Sequence, residues 1–128
     1  MIQTFLMHPA FLVGVGGAAG ANVRFWLGSW LRSLAGVHHF PFATLVINVT
    51  GSILLGVIAA LFKDRAGPAF LLLGIGFCGG FTTFSTFSLE VTECLRDGRW
   101  DMAGLYVLSS VLAGFLGFSG TYLLVRGA

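Results

Sequence analysis

The sequence predicts an all-α integral membrane protein built from four transmembrane helices, and three observations carry that prediction. Of 128 residues, 56% are hydrophobic and only 9% are charged, with a mean hydropathy of +0.91. A water-soluble domain usually carries about 25% charged residues, so too few charges remain here to coat a soluble surface. Lys, Arg, Asp and Glu are absent from 1–23, 33–62, 66–89 and 102–125, and each run reaches the roughly 20 residues a helix needs to cross a bilayer. None of the runs shows the short apolar–polar alternation of a barrel strand. The whole chain, 1–128, reads as one domain.

The first helix is predicted over 10–34, with Arg24 in its second half. No basic residue precedes Arg24, so the segment lacks the charged start of a secretory signal and reads as a retained helix. Gly16 and Gly20 form a GxxxG pair, a surface that lets a second backbone approach closely. Residues 35–41 carry turn chemistry ending at Pro41, and the second helix follows over 42–62, with Asn48, Thr50 and Ser52 at depth. A charged turn at 63–68 leads to a third helix over 69–93. Its middle is poorly suited to one continuous rod, because Gly74, Gly76, Gly79 and Gly80 are followed by Thr82, Thr83, Ser85, Thr86 and Ser88. Glycine weakens a helix, and these hydroxyls compete for backbone partners. The helix is therefore predicted to break at 79–83; an intact helix using the same residues for close packing is the alternative. Residues 90–101 read as a charged connection, and the fourth helix covers 102–125.

Four crossings put Lys63, Arg65 and Arg126 on one side of the membrane and Arg32, Arg96 and Arg99 on the other, joined by Arg24 if it reaches that interface. The rule that sets orientation needs an excess of Lys and Arg on one side, and three against four gives almost none. The chain is thus expected to insert both ways and to pair as an antiparallel, dual-topology homodimer. A single topology set by helix hydrophobicity is the competing reading.

Several classes of chemistry are disfavoured. The seven basic residues are dispersed among helix ends, not gathered on one face, which speaks against nucleic acid despite a pI near 8.8. Cys78 and Cys94 would lie roughly 24 Å apart along a helix, too far to bridge. His8, His38 and His39 have no third ligand at metal spacing, and the glycine-rich stretches lack the Lys-Ser/Thr of a phosphate loop. No enzyme constellation is visible. All five carboxylates, Asp64, Glu90, Glu93, Asp97 and Asp101, are placed at or near helix ends by this reading, which argues against proton-coupled export.

The interior keeps uncharged polar groups: Thr44, Asn48, Ser52, the hydroxyls of the third helix, Tyr106 and Ser110. Such groups can donate to an anion, although hydrogen bonding between helices is their commoner use. Phe81, Phe84 and Phe87 recur every three residues along one stripe. Their electropositive ring edges could face an anion, while lipid contact or core packing is the ordinary reading of such a stripe.

Three segments go further. Gly-Phe-Cys-Gly-Gly-Phe-Thr-Thr-Phe-Ser-Thr-Phe-Ser-Leu-Glu at 76–90 resembles the signature of the Fluc/CrcB fluoride channels. Thr-Leu-Val-Ile-Asn-Val-Thr-Gly-Ser at 44–52 is similar to their second-helix motif, and Gly-Ala-Asn-Val-Arg-Phe at 20–25 to that of the first. The resemblance implies an antiparallel dimer in the inner membrane, in contact with lipid, with two fluoride pores and a structural sodium ion at its centre. It implies that Asn48, Phe84 and Phe87 line a pore, with Thr44, Tyr106 and Ser110 along a polar track and Arg24 near the vestibule. The backbone carbonyls of Gly79 and Thr82 would hold the sodium. One position departs from the family: some members carry a hydroxyl one turn after Ser110, where this chain has Gly114. The implied function is passive, selective export of fluoride that entered as the neutral acid. A small coupled exporter of the multidrug type and a non-transporting assembly protein are the alternatives, and neither has a motif in its favour.

Overall fold

A computed structural model describes residues 1–35 and 40–127; His38 and His39 lie outside them. After a short N-terminal helix, α1 (Ile2–Leu6), come α2 (Pro9–Ala35) and α3 (Phe42–Leu61). The third crossing is composite: α4 (Pro68–Phe70), a π-helical stretch (Leu71–Cys78), α5 (Gly79–Phe81) and α6 (Phe84–Arg96). The last helix is α7 (Trp100–Gly127). Four segments, Pro9–Leu34, Phe42–Leu61, Pro68–Arg96 and Trp100–Gly127, are long and apolar enough to cross a membrane. At about 1.5 Å per residue α7 alone is about 42 Å long, against a hydrocarbon core of about 30 Å.

Most expected boundaries shift by one or two residues, but α1 and the π winding were not anticipated. The expected charged connection over 90–101 is also shorter than read. Helix α6 continues through Glu90 and Glu93 to Arg96, because Glu, Leu and Arg are good helix formers and nothing breaks the ladder before Asp97. Gly98 ends it with φ +74°, the left-handed conformation glycine adopts at no steric cost. Its N–H donates to the Leu95 carbonyl at 3.1 Å, and the Arg99 N–H to that of Cys94 at 2.8 Å, completing a Schellman cap. The link between third and fourth crossings is thereby reduced to Asp97–Arg99, tied by exposed pairs from Asp97 to Arg96 and Arg99. At the other end, the 63–68 turn is held by the Asp64 side chain accepting from the Ala66 N–H at 3.0 Å. Gly67 then caps α4, with Pro68 in its first turn.

Helix α3 packs along α7, and α2 packs along the π stretch and α5. The second contact is made through the GxxxG pair. A Cβ added to Gly16 would collide with the Leu72 carbonyl, and one on Gly20 with the Phe77 carbonyl. Gly80 reciprocates against Gly17. Backbone touches backbone here, which is how helices associate when lipid offers apolar side chains no advantage in pairing.

Large apolar side chains face outward. Leu105, Leu108, Val111, Leu112, Phe115 and Leu124 of α7 are between 50% and 75% exposed. A soluble monomer tolerates only a few hundred Å² of contiguous apolar area, and lipid is the solvent that suits a face of this kind. Cys78 and Cys94 are free and buried.

Candidate functional site

The predicted break falls at two residues. Thr82 (φ −82°, ψ 160°) and Thr83 (φ −150°, ψ 112°) are extended between α5 and α6. Asn48, near the middle of α3, pairs with the Thr83 peptide through both atoms of its amide. The Thr83 N–H donates to Asn48 Oδ1 at 2.8 Å, and Asn48 Nδ2 donates to the Thr83 carbonyl at 3.1 Å. In an uninterrupted α-helix the Thr83 N–H would serve the Gly79 carbonyl, and the Thr86 N–H that of Thr82. The second of these is diverted as well: Thr83 Oγ1 caps α6 by accepting from the Thr86 N–H at 3.2 Å. Gly79 and Thr82 therefore lose their helical donors, and both border the same opening. At membrane depth an interrupted backbone persists only where protein or water satisfies its freed groups; Asn48 and the Thr83 hydroxyl do so for the N–H groups of Thr83 and Thr86, while the Gly79 and Thr82 carbonyls face the opening.

The opening is a groove of about 520 Å³ on the face of the molecule, bordered by Asn48, Ser52, Gly79, Thr82, Phe84, Phe87 and Ser110 among others. The Phe84 ring is 79% exposed along it. Phe87 lies 5.6 Å behind Phe84 and meets Tyr106 edge-on at 5.0 Å between centroids. Ser110 Oγ is buried and has no hydrogen-bond partner among the described residues. A buried hydroxyl in that state calls for a water, an ion or another chain beside it. At Gly114 a Cβ would sit 3.5 Å from Ser52 Oγ, so a serine from α3 places its hydroxyl where α7 lacks one. Ser52 itself donates to the Asn48 carbonyl at 2.9 Å.

Thr44 borders a second cavity of about 370 Å³, together with Arg24, Arg32, Thr83 and Thr86. Thr83 contributes to the walls of both openings. Arg24 Nε is buried and has no partner among the described residues. The predicted residues are thus divided: Asn48, Phe84, Phe87 and Ser110 share the groove, Thr44 and Arg24 share the cavity, and Tyr106 is enclosed between elements at 0% exposure.

One sequence expectation is overturned. Glu90 is not at a helix end. It sits in the middle of α6, where Thr44 Oγ1 donates to its Oε1 at 2.9 Å and the Tyr106 hydroxyl to its Oε2 at 2.8 Å. A part-buried carboxylate therefore stands among the helices, and two hydroxyls expected to face an anion are spent on it. The longer α6 is the cause. The available signal was spacing, since Glu90 follows Thr86 by four residues and Phe87 by three and must share their helix face. Among the described residues no group of three His, Cys, Asp or Glu side chains could hold a metal ion. A cation would have to rely on backbone oxygens such as those freed at the break.

Fold and site together define a small polytopic helical membrane protein whose polar groups converge on an interrupted helix. Comparison with known proteins narrows this. The sequence model of the family described as "CrcB-like protein, Camphor Resistance (CrcB)" matches residues 11–122. A protein of Marinobacter nauticus named "Fluoride-specific ion channel FluC" is 45% identical over 122 residues, which span 90% of this chain and 94% of that protein. Proteins of the same name from Gloeobacter violaceus and Erythrobacter litoralis are 42% and 47% identical, over 94% and 82% of this chain and 98% and 82% of their own lengths. The chain belongs to the CrcB-like family.

Proposed function

We propose that this protein is a fluoride-selective passive channel of the plasma membrane that relieves fluoride accumulation by letting the ion leave. The observation that carries the proposal is the Asn48-clamped break, which lies beside the Phe84 and Phe87 rings on one groove in a chain nearly half identical to proteins named as fluoride channels. Fluoride holds its water tightly, so a path must replace that shell with closely set donors. Ser110 has an unused hydroxyl, and Asn48 keeps one N–H after serving Thr83. The ring edges of Phe84 and Phe87 add positive potential without adding a charge.

The working unit of this proposal is an antiparallel homodimer of dual topology. An open groove with an exposed Phe84 and an unpaired Ser110 suits a second copy as its other wall, and the near balance of Lys and Arg permits both insertions. Tags at the two termini should each be found on both faces of the native membrane; one uniform orientation would defeat the dimer reading. A sodium ion fits at the centre of such a dimer. The Gly79 and Thr82 carbonyls, deprived of their helical donors, are hard oxygen ligands of the kind alkali and alkaline-earth cations take. Bound there, the ion would neutralise those dipoles and tie the two breaks together.

The direct test is ion efflux from proteoliposomes. Fluoride should leave and chloride should not, with no proton gradient imposed, and Phe84→Ile should slow fluoride at least tenfold, a loss of about 1.4 kcal/mol in the barrier. Glu90 favours a second reading, because an intramembrane carboxylate often marks a proton path. Strict dependence of efflux on a pH gradient would select that coupled exporter instead.

A further inference from the structure

The cavity bordered by Thr44 contains a feature that the groove does not explain. Arg24 and Arg32 lie eight residues apart on α2, just over two helical turns, and both reach its wall. Arg32 is on the last turn of α2 and is exposed, yet its guanidinium is folded back along the helix. Nη2 donates to Ser29 Oγ at 3.4 Å, and a Cβ added to buried Gly28 would lie 3.2 Å from Nη1. A side chain at Gly28 would crowd that return.

A cavity of about 370 Å³ has the volume of roughly a dozen waters, at about 30 Å³ each. A hydrated anion has room in it, and at that range charge acts on the ion through its water. The charges present are Arg24 and Arg32, set against Glu90, whose carboxylate is bound to the wall residue Thr44. Two positive charges and one negative leave the cavity net positive. Without Arg32 the remaining pair cancels.

We propose that Arg32, folded back over Gly28, is an electrostatic capture residue that raises the concentration of hydrated anion in the cavity beside Thr83, the residue that also borders the Asn48 groove. The inference rests on the anion-channel reading and assigns a role to a residue outside the predicted site. A unit charge about 7 Å away in water changes local anion concentration about threefold, and low-dielectric walls can enlarge such effects to tenfold and beyond.

The test is initial fluoride efflux, at low fluoride, from proteoliposomes carrying wild type, Arg32→Gln or Arg32→Lys. Ionic strength is set with an impermeant salt to about 0.01 M or about 1 M, where the screening length is about 30 Å or about 3 Å. Arg32→Gln should be about three- to tenfold slower than wild type at low ionic strength and equal to it at high. Arg32→Lys should stay near wild type at both. A merely structural role would give Arg32→Gln the same deficit at both ionic strengths, and that result overturns the inference. Equal rates for wild type and Arg32→Gln at low ionic strength overturn it too, leaving the channel reading intact. A wild type silent at both strengths removes the channel reading first.

Discussion

Asn48→Asp is expected to reduce fluoride efflux about a thousandfold while leaving the protein folded. The aspartate can still accept the Thr83 N–H, as Asn48 Oδ1 does at 2.8 Å, but it cannot donate to the Thr83 carbonyl. It also sets a full negative charge on the proposed path. At about 4 Å and an effective dielectric near 20, repulsion between unit charges is about 4 kcal/mol, about three powers of ten in rate. Asn48→Ala separates the two effects, since it adds no charge but removes both hydrogen bonds. The Thr83 N–H would then be unpaired, at a penalty of about 1–3 kcal/mol, unless the backbone rewinds and returns it to Gly79. Rewinding would withdraw the carbonyl proposed for sodium, so efflux should fall by at least tenfold here as well. Vesicle efflux reads both variants, and amide exchange at Thr83 reports whether the break has closed. Flux within threefold of wild type in Asn48→Asp would remove this residue from the path.

The second large effect concerns assembly. Gly20→Ala should destabilise the protein in detergent by 2 kcal/mol or more, about what overpacking a core entails. The new methyl meets the Phe77 carbonyl and the Phe81 nitrogen, and these backbone atoms have no rotamer by which to yield. α2 must then lift off the π stretch and α5, opening the wall behind the break. Gly104→Ala makes the same chemical change on α7 where nothing lies within 4 Å. It should be neutral or slightly stabilising, because alanine is about 1 kcal/mol the better helix former. Thermal unfolding of the two variants side by side gives the comparison, and equal midpoints would mean that the α2 contact is not close in the native protein.

Both experiments probe features that were legible in sequence to different degrees. Gly16 and Gly20 announce a close helix contact by spacing alone, and the break was expected within a window that contains Thr82 and Thr83. The π winding of Leu71–Cys78 had no such announcement. Changing the hydrogen-bond step from four residues to five uses the same main-chain groups and leaves no mark in side-chain chemistry. Glu90 was misplaced because a cluster of charges looks like a connection when counted along the chain. It becomes a part-buried group among the helices only once α6 is known to continue and α7 to bring Tyr106 beside it.

What the sequence alone determined is what depends on the solvent and on local backbone chemistry: four apolar crossings, their approximate ends, and the place where glycine and hydroxyl residues interrupt the third. What only the tertiary structure decided is which polar groups are paired with one another and which are left to meet an ion. Asn48 is spent largely on Thr83, Thr44 and Tyr106 on Glu90, and Ser110 on no described partner. Hydrogen bonds act over about 3 Å between residues as many as 68 positions apart, and a linear pattern has no means of recording that distance.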